Sequence, residues 1–483
     1  MSTTVTSSLS SRRGGLTLLL LCAVQFLDIV DSSIVNVALP SIRRDLGFSQ
    51  QDLQWVISGY LVTYGGCLLL GGRTADLLGR RRVLIAGTVV FALASMTAGV
   101  AGSQGMLVAA RLVQGVGAAL MAPAALSILT TTFAEGADRN RALGVWAAIS
   151  GLAAAAGVFL GGALSQGPGW RWVFFVNLPV CVAVLAGAVA LLPGRSAGAA
   201  LRRRFDVPGA VLSTAGMLLL IYALVRAPIV GWGSARTIGE LAAAVVILGL
   251  FVVNEQRAAE PLFPFSILRV KGLAVADATQ LIAFAGFISM FFFLTLFMQN
   301  VLGLSPLQAG AAYLPVTVGI GISATVSSRL FVRFGTRPFI VGGALVAAGA
   351  MYFLSRVSVD SSYARDILPG LVVLSLGLGA VFVAVTTAAN AGVRADQAGL
   401  AAGLLNTSQQ LGSALGLAIF SAIATARTND LLASGAATPH ALTGGYQRAL
   451  VACAAFLVGA ALIATRSANA HVAAGPDAVP EAV

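Results

Sequence analysis

Charged residues stand inside long apolar runs, among them Asp28 and Asp31 near the start of the chain and Arg111 further along. Charge in such surroundings is costly and is kept where it binds protons, ions or an opposite charge. Asp28 and Asp31 are three apart, a spacing that puts both on one face of a helix. Two carboxylates so placed cannot both ionise cheaply, so one is expected to hold a proton. The chemistry this suggests is the binding and release of protons. Arg111 and Gln114 are also three apart and share a face, and the arginine is expected to meet a carboxylate or a cavity. Asp277 is a third acid in an apolar run. No histidine can take this part, because His440 and His471 both lie outside the apolar runs. Cys22, Cys67, Cys181 and Cys453 lie within them, without metal-ligand spacing and without a plausible disulfide framework. No metal and no cofactor is expected. Asp138, Asp206 and Asp396 stand alone outside the runs, so no acid cluster suggests an enzyme.

The elements that carry these groups follow from composition. Of 483 residues, 58% are hydrophobic and 10% charged, against about 25% charged in a soluble domain. Lipid must therefore be part of the solvent. A helix needs roughly 20 apolar residues to cross a bilayer. Fourteen such runs occur, at about 15–39, 53–72, 83–102, 106–133, 142–165, 172–193, 208–226, 237–254, 273–300, 308–328, 338–355, 367–389, 398–424 and 447–465. With the N-terminus in the cytoplasm, twenty of the thirty Lys and Arg residues fall in cytoplasmic loops and tails and nine on the other side, the asymmetry expected of a plasma-membrane protein with both termini inside. The same distribution accounts for the net charge of +12 without a nucleic-acid partner, since no basic patch is interleaved with exposed aromatics.

The chain also repeats itself. Leu46-Gly47-Phe48-Ser49 returns as Leu302-Gly303-Leu304-Ser305, an offset of 256, and Arg73, Gly79 and Arg81 return in the same register as Arg329, Gly335 and Arg337. Both matches flank the second span of a six-span group. Parallel six-helix repeats, with a substrate site between them near the midplane, are a plan of secondary transporters. The expected division is a tail at 1–14, a first half at 15–193, a basic connector at 194–207, two additional helices at 208–254, a second connector at 255–272, a second half at 273–465 and a tail at 466–483.

Several motifs resemble those of one family. The loop from Gly72 to Arg82, containing Asp76, Gly79 and Arg80, resembles the loop signature of the major facilitator superfamily, and Val332 occupies the place of Asp76 in the second copy. Arg111 followed by Gln114-Gly115 resembles its intramembrane arginine signature. Asp31 to Pro40, including Asn36, looks like the first-helix signature of the fourteen-helix drug:proton antiporters, with Asp28 as an additional acid. Trp170 to Pro179 is similar to the same family. Gly157, Gly161 and Gly162 fit the exporter pattern of the fifth span, except that Val158 stands where that pattern has proline.

The resemblance implies an all-α polytopic fold, two six-helix halves plus two inserted helices. It implies a monomer that exports small lipophilic compounds (drugs, antibiotics or dyes) in exchange for protons. Asp28, Asp31 and Arg111 would couple to the proton. Gly72, Asp76, Gly79, Arg80, Gly157, Gly161 and Gly162 would serve conformational change. Asn36, Gln114, Asp277 and the stripe Phe284, Phe287 and Phe291 would line the substrate cavity. Proton-coupled movement of an endogenous metabolite, outward or inward, is the alternative. A passive channel fits the composition but not the repeat.

Overall fold

The computed structural model describes residues 11–49, 51–133, 137–192, 206–258, 261, 270, 272–390, 393, 398–467 and 469–470, and among these no strand occurs. Helices are the solution that satisfies every backbone polar group within its own segment, as lipid requires. In chain order they are α1 Arg12–Leu46, α2 Trp55–Leu78, α3 Arg80–Gly99, α4 Gln104–Thr132, α5 Ala137–Gln166, α6 Trp172–Phe175, α7 Asn177–Leu191, α8 Val207–Val230, α9 Ala235–Arg257, α10 Leu273–Asn300, α11 Pro306–Ala311, α12 Leu314–Phe334, α13 Arg337–Leu354, α14 Leu368–Asn390, α15 Ala398–Ala433 and α16 Thr438–Ala464. Helices α6 and α7 make one span, and α11 and α12 another. Among the described residues twelve spans have the length and apolarity to cross a membrane. Helices α2 and α5, of 24 and 30 residues, bring the number of long helical segments to fourteen.

Local sequence sets the helix ends. Ser11, Ser103, Asp206 and Ser234 accept from backbone N–H groups of the first turn, and Ser305 with Gln308 forms a capping box at α11. The repeated glycines do equivalent work in each half. Gly47 closes α1 at φ 70°, and Gly303 has φ 69° after α10. Gly79 turns α2 into α3 at φ 94°, and Gly335 turns α12 into α13 at φ 72°. All four lie in the region that favours glycine.

Helices α1 to α7 pack on one another, as do α10 to α16. The two groups meet in a reciprocal way. The second span of the first half, α2, packs on the fifth span of the second half, α15, while α5 packs on α11 and α12, the second span of the other half. Helix α8 lies against α2 and α15, and α9 packs on α8, leaving Ile238, Val245 and Val246 of α9 exposed. Backbone-close packing joins the halves on the face opposite the α2–α3 turn. A Cβ on Gly162 of α5 would stand 2.7 Å from the Pro306 carbonyl oxygen and 2.8 Å from Leu307 Cα, and one on Gly310 would stand 2.6 Å from the Val158 oxygen. Nearby, Gln299 of α10 donates to the Val37 carbonyl of α1 at 2.9 Å.

Candidate functional site

The intramembrane arginine does meet a carboxylate. Arg111 of α4 and Asp31 of α1 form an ion pair at 2.7 Å, with side-chain exposures of 1% and 0%. The rest of the site satisfies both groups. Gln114 donates to Asp31 Oδ1 at 2.7 Å, and Asn177, the first residue of α7, donates to the same oxygen at 2.8 Å. Arg111 also donates to Gln114 Oε1 at 2.7 Å and, through Nε, to the Val56 carbonyl at 2.8 Å. Ser95 of α3 accepts from Gln114 and Asn177. Five helical segments of the first half thus converge on one neutral pair. A buried pair this fully bonded holds those elements in register, and removing either partner would strand the other's charge.

The glycines after Gln114 make the approach possible. A Cβ on Gly115 would strike the Tyr60 carbonyl of α2, and one on Gly117 would lie 2.7 Å from the Phe91 nitrogen of α3. Helix α2 therefore comes close enough to lay the Tyr60 ring against Arg111, whose guanidinium carbon is 4.4 Å from the ring centroid.

Asp28 belongs to a different set. Tyr60 donates to its Oδ1 and Tyr64 to its Oδ2, each at 2.7 Å. These two tyrosines, four apart on α2, grip the carboxylate from one side, and no ion pair to Asp28 is formed among the described residues. The residue after Tyr64, Gly65, abuts Gln410 and Leu411 of α15, in the other half. The spacing of Asp28 and Asp31 predicts a shared environment. The structure separates them, because one looks toward α2 and the other toward α4 and α7.

The remaining expected residues fall in three places. Gln114 is fully buried within the Asp31 network. Asn36 is 4% exposed and its amide turns back to the Ser32 and Ser33 carbonyls of its own helix. Phe284, Phe287 and Phe291 do form one stripe on α10. Phe284 stacks on Phe382 of α14 with centroids 4.4 Å apart, Phe287 lies 5.0 Å from Phe291, and Phe291 lies 4.6 Å from Tyr313. Asp277, one helical stretch earlier on α10, accepts a long hydrogen bond of 3.4 Å from Ser408 of α15.

In the α2–α3 region, Gly79 forms the turn and Arg80 donates to Thr131 at 2.7 Å, while the Asp76 and Arg73 side chains lie outside the described residues. Gly72 faces Pro123 of α4. On α5, Gly157 abuts Val30 and Ser33 of α1 and Gly161 abuts Ile34, so both serve helix contact within the half, whereas Gly162 faces the other half. Tyr60, Tyr64, Ser95, Phe382 and Tyr313 also belong to these sites, and the charge pattern of the sequence does not mark them. For the first two a signal existed, as two tyrosines one helical turn apart within an apolar run.

Two related six-helix groups, flanking helices and a charged network buried in one group define a multi-pass helical membrane transporter. The chain belongs to the Major Facilitator Superfamily, whose profile matches residues 21–417. It is 38% identical over 453 residues to the puromycin resistance protein pur8 of Streptomyces alboniger, covering 92% of this chain and 89% of that one. It is 39% identical over 448 residues to the cephamycin export protein CmcT of Amycolatopsis lactamdurans, covering 92% and 91%. The tetracenomycin C resistance and export protein of Streptomyces glaucescens is 38% identical over 403 residues, covering 83% and 74%. Among solved structures, a bacterial homologue of the human lysosomal transporter Spinster, inward-facing and unoccupied, superposes with a TM-score of 0.66 at 17% identity over 94% of this chain and 97% of that one. At that identity the likeness establishes the fold alone.

Proposed function

We propose that this protein is a proton-coupled antiporter that expels small lipophilic compounds of the antibiotic kind across the plasma membrane. The names of the relatives support the substrate class: puromycin and tetracenomycin C resistance, and cephamycin export. Proton coupling rests on one observation, the bonding of Asp28. Asp31 is neutralised by Arg111. Ionised Asp28 has two neutral hydroxyl donors and, among the described residues, no ion-paired cation, so a proton arriving or leaving there changes the net charge of the buried site. Tyr64 neighbours the point where Gly65 of α2 abuts Gln410 of α15, so that change lies beside the second half. Asp28 is therefore the carrier in this reading, with the Asp31–Arg111 pair as the frame that holds it. A proton crossing a membrane potential supplies about 2.3 kcal/mol per 100 mV and about 1.4 kcal/mol more per pH unit, enough to sustain roughly a hundred-fold gradient of a small compound.

The division into halves at 15–193 and 273–465, with an added helix pair at 208–254, fits the packing of α8 on α2 and α15. We place the basic α2–α3 loop and both termini in the cytoplasm, with the monomer as the working unit. The aromatic stripe of α10, continued by Phe382 and Tyr313, is the proposed substrate wall, and Asp277 lies at its end. Movement of an endogenous metabolite by the same cycle is the second reading, since self-made compounds present the same lipophilic surfaces. The test is accumulation of a fluorescent dye or a labelled antibiotic in cells expressing the chain, with and without a protonophore. Lower accumulation that a protonophore abolishes is the expected result. Accumulation raised above the control would instead indicate uptake.

A further inference from the structure

Nine of the thirty basic residues sit on the face opposite the α2–α3 loop, the face that usually carries few. Three of those nine, distant in sequence, converge. Arg356 follows the end of α13, Arg427 lies in the last two turns of α15, and Arg448 lies in α16. Together they line a concavity of about 260 Å³. Arg427 also lines an adjoining concavity of about 330 Å³, with His440, Gln447 and Asp360. The three arginines form no ion pair among the described residues, whereas Arg171, Arg236 and Arg365 of the same face are paired with Asp45, Glu240 and Asp366. Among the described residues that line the two concavities Asp360 is the single carboxylate, so the groove keeps a net positive charge whether or not His440 is protonated.

Their depth says what the charge meets. The apolar runs of these helices end at about 355 and 424 and begin at about 447. All three guanidinium groups are therefore anchored within about three residues of the apolar boundary, at the level of lipid headgroups. The groove also opens sideways, since Tyr352 and Val451, at its edge, are 53% and 39% exposed. Guanidinium groups bind phosphate through several parallel donors, the chemistry by which basic pockets between membrane helices on the cytoplasmic side take anionic headgroups, and it is available equally at this face.

We propose that this groove between α13, α15 and α16 binds the phosphodiester headgroup of an anionic phospholipid, with an acyl chain lying along Tyr352 and Val451. The bound lipid would bridge three helices of the second half. One of them, α15, is the helix that packs on α2 of the first half, so its occupancy bears on how the halves meet. The site is separate from the Asp28 and Asp31 networks and does not depend on the transport reading.

The experiment is thermal unfolding of the purified chain in lipid nanodiscs of phosphatidylcholine alone or with one-third phosphatidylglycerol. A parallel arm uses phosphatidylcholine discs with millimolar inorganic phosphate. The wild type is expected to gain several degrees in Tm with phosphatidylglycerol and nothing with phosphate. The variant Arg356→Gln/Arg427→Gln/Arg448→Gln should lose that gain while melting like the wild type in phosphatidylcholine. The corresponding triple lysine variant should keep part of it. Should the triple glutamine variant not fold, Arg427→Gln alone, the residue common to both concavities, should reduce the gain by about half. No gain in the wild type, or an equal gain in the glutamine variants, would overturn the proposal. A gain with inorganic phosphate equal to that with phosphatidylglycerol would overturn the lipid in favour of a soluble anion.

Discussion

The guanidinium of Arg111 lies against the ring of Tyr60, 4.4 Å from its centroid, while the Tyr60 hydroxyl donates to Asp28 at 2.7 Å. One tyrosine thus touches both intramembrane charge sites, with its face toward the Asp31–Arg111 pair and its edge toward Asp28. A change of charge at Asp28 is felt by the ring that Arg111 rests on, in a water-poor interior where such fields are weakly screened.

This bridge can be cut in two ways. Tyr60→Phe keeps the ring beneath Arg111 and deletes the donor to Asp28, while Tyr60→Leu removes both. Loss of one hydrogen bond to a charged group costs about 1.5–3 kcal/mol, and loss of a desolvated cation–π contact about 2 kcal/mol more. We expect Tyr60→Phe to fold and to transport with an altered pH profile, and Tyr60→Leu to melt measurably lower. Melting in detergent and liposome transport across a pH series would check both. Equal Tm for the two variants would show that the ring contact with Arg111 contributes nothing.

The Asp31–Arg111 pair predicts a non-additive result. Asp31→Asn strands a buried guanidinium, and Arg111→Gln strands a buried carboxylate, each at about 3–5 kcal/mol. The double variant leaves neither charge exposed to an apolar interior. It should reach the membrane in greater yield, and melt higher, than either single variant. By contrast Arg171→Ala, which breaks the half-exposed pair with Asp45, should shift stability by less than about 1 kcal/mol. Double-variant stability equal to the sum of the two losses would rule out direct pairing.

Much of this was legible in the sequence. Charge-free runs mark the spans because a charge within lipid is costly, and the 256-residue offset marks the halves because glycines at 47, 79, 303 and 335 are needed where the turns have positive φ. Arg111 and Asp31 were recognisable by the cost of burying them. The facing of Asp28 was not, since a three-residue spacing gives a shared helix face but not what packs there. Asp28 and Asp31 diverge because α2 and α4 each present polar groups to a different side of α1, with Tyr60 and Tyr64 at one and Arg111 and Gln114 at the other. The same limit hid Gln114 from view as a network member, and Phe382 as the partner of Phe284.

The halves meet closely at Gly162, which we propose as part of the surface that closes between them. Any side chain there meets backbone atoms of Pro306 and Leu307, which cannot rotate away. Gly162→Val should hold the halves apart on the face opposite the α2–α3 loop. Transport is expected to fall at least tenfold with the protein still in the membrane. A cysteine placed at Gln299, beside this contact, should react faster with a membrane-impermeant thiol reagent in the Gly162→Val background. Unchanged labelling together with unchanged transport would remove Gly162 from the closing surface.

Sidedness is tested independently of transport. With twenty of thirty basic residues assigned to the cytoplasm, a reporter enzyme active only outside the cytoplasm, fused after Arg466, should be silent, and the same reporter fused after Ser434 in the α15–α16 turn should be active. The opposite pattern would invert the orientation, and activity at both points would break the span count.

The last prediction concerns Asp28 itself. If its carboxyl carries the proton, Asp28→Asn fixes the site in a permanently neutral form, whose amide oxygen can still accept from one tyrosine while its NH2 donates to the hydroxyl oxygen of the other. The Asp31–Arg111 pair does not touch Asp28 and stays formed, so folding and melting should be close to the wild type. Without a group that changes charge, a pH gradient has nothing to act on. The cycle can still shuttle substrate between the two sides when substrate is present on both. In liposomes with a fluorescent substrate, Asp28→Asn should therefore lose uptake driven by an imposed pH gradient by at least tenfold and retain substrate-for-substrate exchange within a few-fold. Asp277→Asn, whose only described partner is the distant Ser408 hydroxyl, should keep gradient-driven transport and alter the range of substrates. Gradient-driven transport at the wild-type rate in Asp28→Asn, with loss in Asp277→Asn, would move the carrier to the second half and leave Asp28 as a packing group between α1 and α2.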